Sequence, residues 1–166
     1  MKKTVTGPAL LLMAGVLLAG CGGVRPSRTE PSDRGWVGRE IFDQSPYAPF
    51  RVAYDTADVM HEYVDLIRMV RDSVEVIIFF GGWCSDSRRE VPRFLKVADL
   101  AGFGAEQIRF YALDRTKKSS DGLTDRYAIE LVPTFVFLRR GEEIGRITES
   151  PRTMMEADVL GILARR

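Results

Sequence analysis

The sequence has 166 residues, of which 45% are hydrophobic and 28% are charged, and its formal net charge is +1. This chain can build one buried core, but it is too short for two ordinary domains and too apolar to be disordered throughout. The balanced charge argues against a nucleic-acid partner, because such proteins usually carry a basic excess. Two cysteines and one histidine exclude a disulfide-rich scaffold and a multi-histidine metal site. No cofactor or metal ion is expected.

The amino terminus has the pattern of a secretory signal. A positively charged start is followed by an apolar run over residues 9–19, about half the length needed to cross a bilayer as a helix. The run ends in Leu18-Ala19-Gly20-Cys21, which resembles the lipobox of bacterial lipoproteins. The resemblance implies cleavage before Cys21 and lipid on its sulfur, so residues 1–20 are predicted to be a lipoprotein signal peptide. An ordinary signal peptide or an uncleaved anchor is the alternative.

Residues 21–49 are predicted to be the lipidated cysteine and a tether. They are rich in glycine and proline among mixed charges, a composition that is typical of a linker. Gly22 stands where an aspartate is the familiar inner-membrane retention signal, which favours the outer membrane, facing the periplasm, where the source has one. Without residues 1–20 the chain loses two of its 24 basic residues against 23 acidic ones, so its formal charge becomes −1. Membrane attachment is therefore expected to depend on acyl chains.

An α/β domain is predicted over residues 50–166, because apolar strand-like runs alternate with helical patterns. The predicted strands cover residues 51–54, 74–80, 108–113, 135–138 and 143–147. The predicted helices follow Thr56, cover residues 87–100 and 123–129, and open at Ser150-Pro151. The run at residues 74–80 is apolar at every position except Glu75, which is typical of a strand covered on both faces. This order predicts a central mixed sheet with helices on both faces.

Cys84 stands where the central predicted strand leads into a helix, within the stretch Gly81-Gly82-Trp83-Cys84-Ser85-Asp86-Ser87. The stretch resembles the Trp-Cys-x-x-Cys active site of the thioredoxin family, with Ser87 in place of the second cysteine. Three further matches fall in register with the family, namely Pro92 in the helix, Val132-Pro133-Thr134 as a cis-proline loop, and the hairpin glycine Gly141. The resemblance covers residues 50–166 and implies a thioredoxin-like fold and a redox function in thiol–disulfide exchange.

The position of Cys84 favours a reactive thiol independently of the resemblance. A cysteine at a helix N-terminus faces unpaired backbone N–H groups and the positive end of the helix dipole, which stabilise a thiolate. Arg88 and Arg89 add positive charge within the first turn, whereas the carboxylate of Asp86 opposes the thiolate. Ser87 lies one turn on and is expected to donate a hydrogen bond to the sulfur. A buried, inert cysteine is the alternative.

The resemblance also implies a substrate site beside the thiol. A cis bond before Pro133 turns the loop so that the backbone of Val132 faces the cysteine and pairs with an extended substrate segment. Trp83 would supply an aromatic wall, unless it is a core tryptophan. The implied partners are protein or small-thiol disulfides and an external reducing thiol.

The sequence departs from the thioredoxin pattern at three positions. Ser87 cannot resolve a mixed disulfide, so release would need an external thiol. Ile78 stands six residues before the cysteine, where the family buries an aspartate that assists proton transfer. Glu149 stands sixteen residues after Pro133, where the family carries a glycine, and its side chain would fill or charge the substrate groove.

These observations predict a lipid-anchored protein of the bacterial envelope that performs monothiol exchange through Cys84. Isomerisation, or removal of a small-thiol adduct, suits one cysteine better than net oxidation. Two alternatives remain: a binding module that keeps the fold without turnover, and a thiol peroxidase whose cysteine forms a sulfenic acid. A Cys–His pair with His61 is a further possibility, although a solvated or packed helix histidine is the simpler interpretation.

Overall fold

The computed structural model describes Met1 and residues 34–165. The remainder of the predicted signal peptide and the predicted lipidation site at Cys21 lie outside the described residues. Within the described part of the chain, no helix is both long enough and apolar enough to cross a membrane.

Five strands and five α-helices are present in the described residues. The strands are β1 (Gly35–Val37), β2 (Val74–Phe80), β3 (Ile108–Ala112), β4 (Thr134–Arg139) and β5 (Glu142–Thr148). The helices are α1 (Ala48–Thr56), α2 (His61–Val70), α3 (Ser85–Ala101), α4 (Leu123–Arg126) and α5 (Met155–Leu163). Short 3₁₀ helices cover Arg39–Asp43, Ser45–Tyr47 and Ala105–Gln107.

The strands form one mixed sheet in the order β1-β3-β2-β4-β5. β2 and β3 are parallel, and α3 provides the crossover that a parallel pair requires. The other three pairings are antiparallel, including the β4–β5 hairpin at one edge. The predicted α/β fold with a central mixed sheet is confirmed.

The two faces of the sheet are covered unequally. On one face, here called the helical face, α1, α2, α3 and α5 bury a large cluster with sheet residues. Its largest fully buried members are Tyr47, Phe50, Ile67, Ile78, Phe80, Phe94, Phe135, Phe137, Met155 and Leu163. The other face, here called the thiol face, buries a smaller cluster beneath α4 and the loops. Its members are Ile77, Phe79, Tyr111, Leu113, Ile129, Val132, Val136 and Leu138, with Trp83 and Cys84 packed against them.

The first predicted strand is wrong, because residues 51–54 lie inside α1. Phe50 and Tyr54 both pack toward the helical face, whereas Val52 is 62% exposed. An i, i+4 spacing of inward residues is the helical period, and four residues are too few to separate it from a strand by inspection. The edge of the sheet beside β3 is occupied instead by β1.

The predicted start of the domain at residue 50 is also too late. β1 pairs with β3 from Gly35 onward, and Ile41, Phe42 and Tyr47 are buried. The Phe42 ring lies 5.4 Å from that of Phe80, measured between centroids. The second half of the predicted tether therefore belongs to the domain, because a few apolar anchors outweigh its proline and glycine content.

Two predicted helix starts lie elsewhere in the structure. Thr56 ends α1 by donating its hydroxyl to the carbonyl of Val52, and α2 begins only after Met60. The last helix begins at Met155 rather than at Ser150-Pro151, because Asp158 accepts hydrogen bonds from the preceding segment and holds it in a turn. The remaining predicted elements match the observed ones apart from their end residues, the largest change being the shortening of residues 123–129 to Leu123–Arg126.

Candidate active site

Cys84 is the N-cap residue of α3, with extended backbone angles of φ −83° and ψ 129°. The turn that leads to it from β2 is closed by a 2.9 Å hydrogen bond from the Cys84 N–H to the carbonyl of Gly81. The carbonyl of Cys84 then accepts the N–H of Arg88 at 3.1 Å, which begins the helix. The side chain is a free thiol and is half-buried. It therefore lies at the end of α3 where the helix dipole is positive.

The structure brings the thiol to the loop before β4. The peptide bond between Val132 and Pro133 is cis, as the family resemblance implies. Cys84 Sγ donates a 3.1 Å hydrogen bond to the carbonyl oxygen of Val132, and Val132 is itself buried. The carbonyl that was expected to face a substrate therefore accepts a hydrogen bond from the thiol in this structure.

Trp83 forms a fixed wall beside the thiol and is half-buried, so it is not a core tryptophan. Its indole Nε1 donates to the carbonyl of Leu113 at 2.9 Å, and the guanidinium of Arg115 lies 4.9 Å from the ring centroid. A Cβ at Gly81 would lie 2.7 Å from the indole, so a side chain there would displace the ring. The absence of a side chain at residue 81 lets Trp83 fold back against the loop.

Ser87 does not have its predicted contact. Its side chain is fully buried, and its hydroxyl oxygen accepts the N–H of Gly81 at 3.2 Å. Among the described residues, its hydroxyl makes no hydrogen bond with Cys84 Sγ. A helical side chain leans toward the helix N-terminus, which here aims the hydroxyl at a backbone donor in the preceding turn. Ser87 therefore positions the loop that carries the thiol.

The charged side chains of the first turns of α3 are largely paired with one another. Arg89 forms ion pairs with Asp86 at 2.7 Å and with Glu90 at 2.6 Å. The hydrogen bond to Glu90, followed by the one to Asp86, raises the pKa of the Arg89 guanidinium. Arg88 donates from Nε to the carbonyl of Gly82 at 2.7 Å. Asp86 thus shares Arg89 with Glu90, and no described hydrogen bond joins Arg88 or Arg89 to the sulfur.

The other residues singled out in the sequence lie in different surroundings. Ile78 is fully buried in the helical face, so its position carries no ionisable group. His61 is exposed at the start of α2, a helix of the helical face, whereas Cys84 packs on the thiol face. Glu149 has a left-handed φ of 59°, and its N–H donates to the carbonyl of Pro133 at 2.7 Å. Glu149 is therefore the residue of this group that lies next to the site.

Sequence reasoning missed the segment after β3. Leu113 anchors Trp83, and Arg115 covers the indole ring. Because β2 and β3 are parallel, their carboxyl ends meet at one edge of the sheet, and ligand sites of α/β sheets lie at that edge. Leu131, which is 40% exposed, adds apolar surface next to the loop of Val132. Over the described residues, no group of three or more histidine, cysteine, aspartate or glutamate side chains could hold a metal ion.

The fold and the cysteine at the start of α3 are together typical of proteins that carry out thiol chemistry. Comparisons with known proteins give the same class. The thioredoxin family model matches residues 47–160, so the chain belongs to the thioredoxin family. A thioredoxin from Malassezia sympodialis is 27% identical over 88 residues, covering 53% of this chain and 80% of that protein. Thioredoxin H2-2 from Oryza sativa subsp. japonica is 30% identical over 84 residues, covering 51% of this chain and 58% of that protein.

A solved structure shows the same fold at low sequence identity. A Pseudomonas aeruginosa protein of unknown function aligns with a TM-score of 0.52 and 16% identity, covering 74% of this chain and 82% of that one. Membership of the thioredoxin family supports a general role in thiol–disulfide exchange.

Proposed function

We propose that this protein is a lipid-anchored, envelope-facing member of the thioredoxin family that performs monothiol exchange through Cys84. The observation that carries the proposal is the 3.1 Å hydrogen bond between Cys84 Sγ and the carbonyl of Val132, at the N-terminus of α3. The bond itself stabilises the protonated thiol and places it against a loop that can hold a substrate backbone, whereas the helix terminus favours the thiolate. The anchor rests on the lipobox pattern that ends at Cys21.

The first step is attack by the Cys84 thiolate on one sulfur of a disulfide. A bond forms between the two sulfurs, the original sulfur–sulfur bond breaks, and the leaving thiolate departs with the electron pair. When Cys84 loses its proton, the carbonyl of Val132 loses its donor and becomes available to an N–H of the substrate. An N–H of the substrate would then replace the thiol as the hydrogen-bond donor to this carbonyl.

The second step needs a thiol from outside the active site, because Ser87 occupies the position of a resolving cysteine and its hydroxyl is engaged with Gly81. In isomerisation, a thiol of the substrate itself attacks the mixed disulfide, so no external reductant is consumed. In removal of an adduct, a low-molecular-weight thiol attacks and is oxidised, and the substrate is reduced. In both cases Cys84 leaves as a thiolate, unchanged over the cycle.

The substrate site is bounded by Trp83 and by the backbone of Val132 and Pro133. The indole is held by its hydrogen bond to Leu113, so it offers a fixed aromatic surface beside the sulfur. Expected substrates are disulfides of proteins, or mixed disulfides of proteins with small thiols, that can present an extended segment to the loop.

A turnover assay tests the proposal on the full chain. The substrate is a glutathionylated peptide with excess glutathione, and the rate of deglutathionylation is measured. We expect clear acceleration over the uncatalysed reaction by the wild type, and loss of that acceleration in Cys84→Ala. Ser85→Ala is the matched control, because Ser85 is the exposed neighbour of the thiol, and it should retain the wild-type rate. Equal rates with wild type and Cys84→Ala would contradict monothiol turnover.

A binding module is the second candidate function. It is favoured by the buried apolar side chain of Ile78, which cannot take part in proton transfer, and by the serine at position 87 in place of a second cysteine. In that case the wild type shows no turnover, and Cys84→Ala retains its affinity for a client protein.

A further inference from the structure

Glu149 is joined through the backbone to the loop that holds the thiol. It follows the last residue of β5, and its N–H donates to the carbonyl of Pro133 at 2.7 Å. The preceding carbonyl, that of Val132, accepts the Cys84 thiol at 3.1 Å. The backbone of Glu149 therefore contacts Pro133, the residue that follows the hydrogen-bond acceptor of the Cys84 thiol.

A second contact holds the same segment against α3. The hydroxyl oxygen of Ser150 accepts a 2.9 Å hydrogen bond from Nη2 of Arg89, in the second turn of the helix that Cys84 caps. The two residues after β5 thus contact both elements that carry the site, the cis-proline loop and α3. A backbone contact of Glu149 and a side-chain contact of the next residue, Ser150, therefore place Glu149 at the rim of the proposed substrate site.

The carboxylate of Glu149 is left without a counter-charge by the residues that the structure describes. Arg89 is engaged with Asp86 and Glu90, and Arg146 forms a 2.6 Å ion pair with Glu143. Glu149 is half-buried and takes part in no described side-chain hydrogen bond or ion pair. A partner that lies along the loop of Pro133 therefore passes a carboxylate that has no ion-pair partner among the described residues.

The backbone conformation of Glu149 is one that favours glycine over a residue with a side chain. Its φ of 59° is in the left-handed region, where a residue with a Cβ is disfavoured and glycine is not. The turn after β5 would accommodate glycine more easily, so the presence of a charged side chain there is not explained by the backbone.

We propose that Glu149 is a specificity-determining residue that favours disulfide partners with a lysine or arginine beside the reacting cysteine. The inference rests on the proposed function, because it names the substrate class of the same site. A cation on the substrate segment approaches the free carboxylate while the segment lies along the loop of Val132, which accelerates productive encounter. The chemical step is unchanged: Cys84 bonds to the substrate sulfur, and the other thiolate leaves with the electron pair.

The test compares two synthetic peptides that react with the full chain. In each, the only cysteine carries a nitrothiobenzoate group as a mixed disulfide, and it is flanked by lysines in one peptide and by glutamates in the other. Release of the coloured nitrothiobenzoate anion gives the rate of attack. The proteins are the wild type, Glu149→Gln, Cys84→Ala, and Glu142→Gln as a matched loss of charge at the far end of β5.

We expect the wild type to prefer the lysine peptide, and this preference to fall about fivefold in Glu149→Gln, the size of a surface ion pair. Glu142→Gln should keep the wild-type preference, and about 0.5 M salt should weaken it. A preference that persists in Glu149→Gln, or equal rates of the wild type with both peptides, overturns this inference and leaves the proposed function standing. If the wild type reacts with neither peptide faster than Cys84→Ala does, both proposals fail.

Discussion

The two faces of the sheet differ in how completely they are covered, and the thiol belongs to the thinner one. On the helical face, four helices bury a continuous cluster in which Phe94 lies 5.1 Å from Phe135 and 5.9 Å from Phe137 between ring centroids. On the thiol face, α4 and the loops leave Trp83 and Cys84 half-buried. The comparison indicates that the helical face stabilises the fold, whereas the thiol face keeps the Cys84 sulfur accessible to a substrate.

β2 serves both faces because side chains alternate along a strand. Ile78 and Phe80 pack into the helical face, while Ile77 and Phe79 pack into the thiol face. The strand then leads through Gly81 to Cys84, so the position of the thiol depends on a strand that both clusters hold in place. Removal of packing from the helical face should therefore lower stability without altering the chemistry of the folded molecule.

Phe94→Ala tests this division with the largest expected effect. Phe94 is fully buried against two other aromatic rings, so the truncation should reduce the free energy of unfolding by about 3–5 kcal/mol. Urea denaturation measures the loss. The alkylation rate of Cys84 in the folded fraction should match that of the wild type, and a changed rate would show that the two faces are not independent.

Asp99→Asn should lower the free energy of unfolding by a smaller amount, again through a contact on the helical face. Burial opposes ionisation of Asp99, but hydrogen bonds from Arg39 and Tyr54 outweigh it and hold the pKa of this carboxyl below its ordinary value of 3.8. A lowered pKa in the folded state stabilises the protein above about pH 4, and this contribution is lost as the pH falls through the folded value. We expect a loss of about 1 kcal/mol near neutral pH.

The pH dependence separates this charge effect from a packing effect. The difference in unfolding free energy between the wild type and Asp99→Asn should shrink as the pH is lowered below about 4, where Asp99 becomes protonated first in the unfolded chain and then, at lower pH, in the folded protein. Urea denaturation at several pH values measures it. A difference that stays constant with pH would mean that the ion pair with Arg39 does not stabilise the fold.

The elements marked by a long apolar run, a clear helical spacing or a turn glycine could be predicted from the sequence. The apolar run of β2 and the helix after Cys84 are both observed, and so is the hairpin of β4 and β5. The run at residues 51–54 could not be assigned, because so short a segment fits both periods. β1 has three residues and is fixed by pairing with β3, a contact that no local pattern of sequence reveals.

The features of the candidate active site were likewise predictable only in part. The location of Cys84 at a helix start followed from the strand-to-helix pattern, and the cis bond before Pro133 followed from the family resemblance. The direction of the Ser87 hydroxyl could not be predicted from the sequence. The sulfur of Cys84 and the N–H of Gly81 were both available to it, and spacing along the chain does not distinguish them. The contact of Trp83 with Leu113 depends on parallel pairing of strands that are far apart in sequence.

The central claim is that the fold makes Cys84 a nucleophile, and its alkylation rate tests this most directly. The full chain is treated with iodoacetamide at about pH 6, folded and in urea, and the modified Cys84 peptide is quantified by mass spectrometry. A free thiol is almost entirely protonated at this pH. We predict alkylation about fivefold faster in the folded protein, on the expectation that the N-terminus of α3 stabilises the thiolate more than the hydrogen bond to Val132 stabilises the thiol. Equal or slower alkylation in the folded protein would contradict the claim.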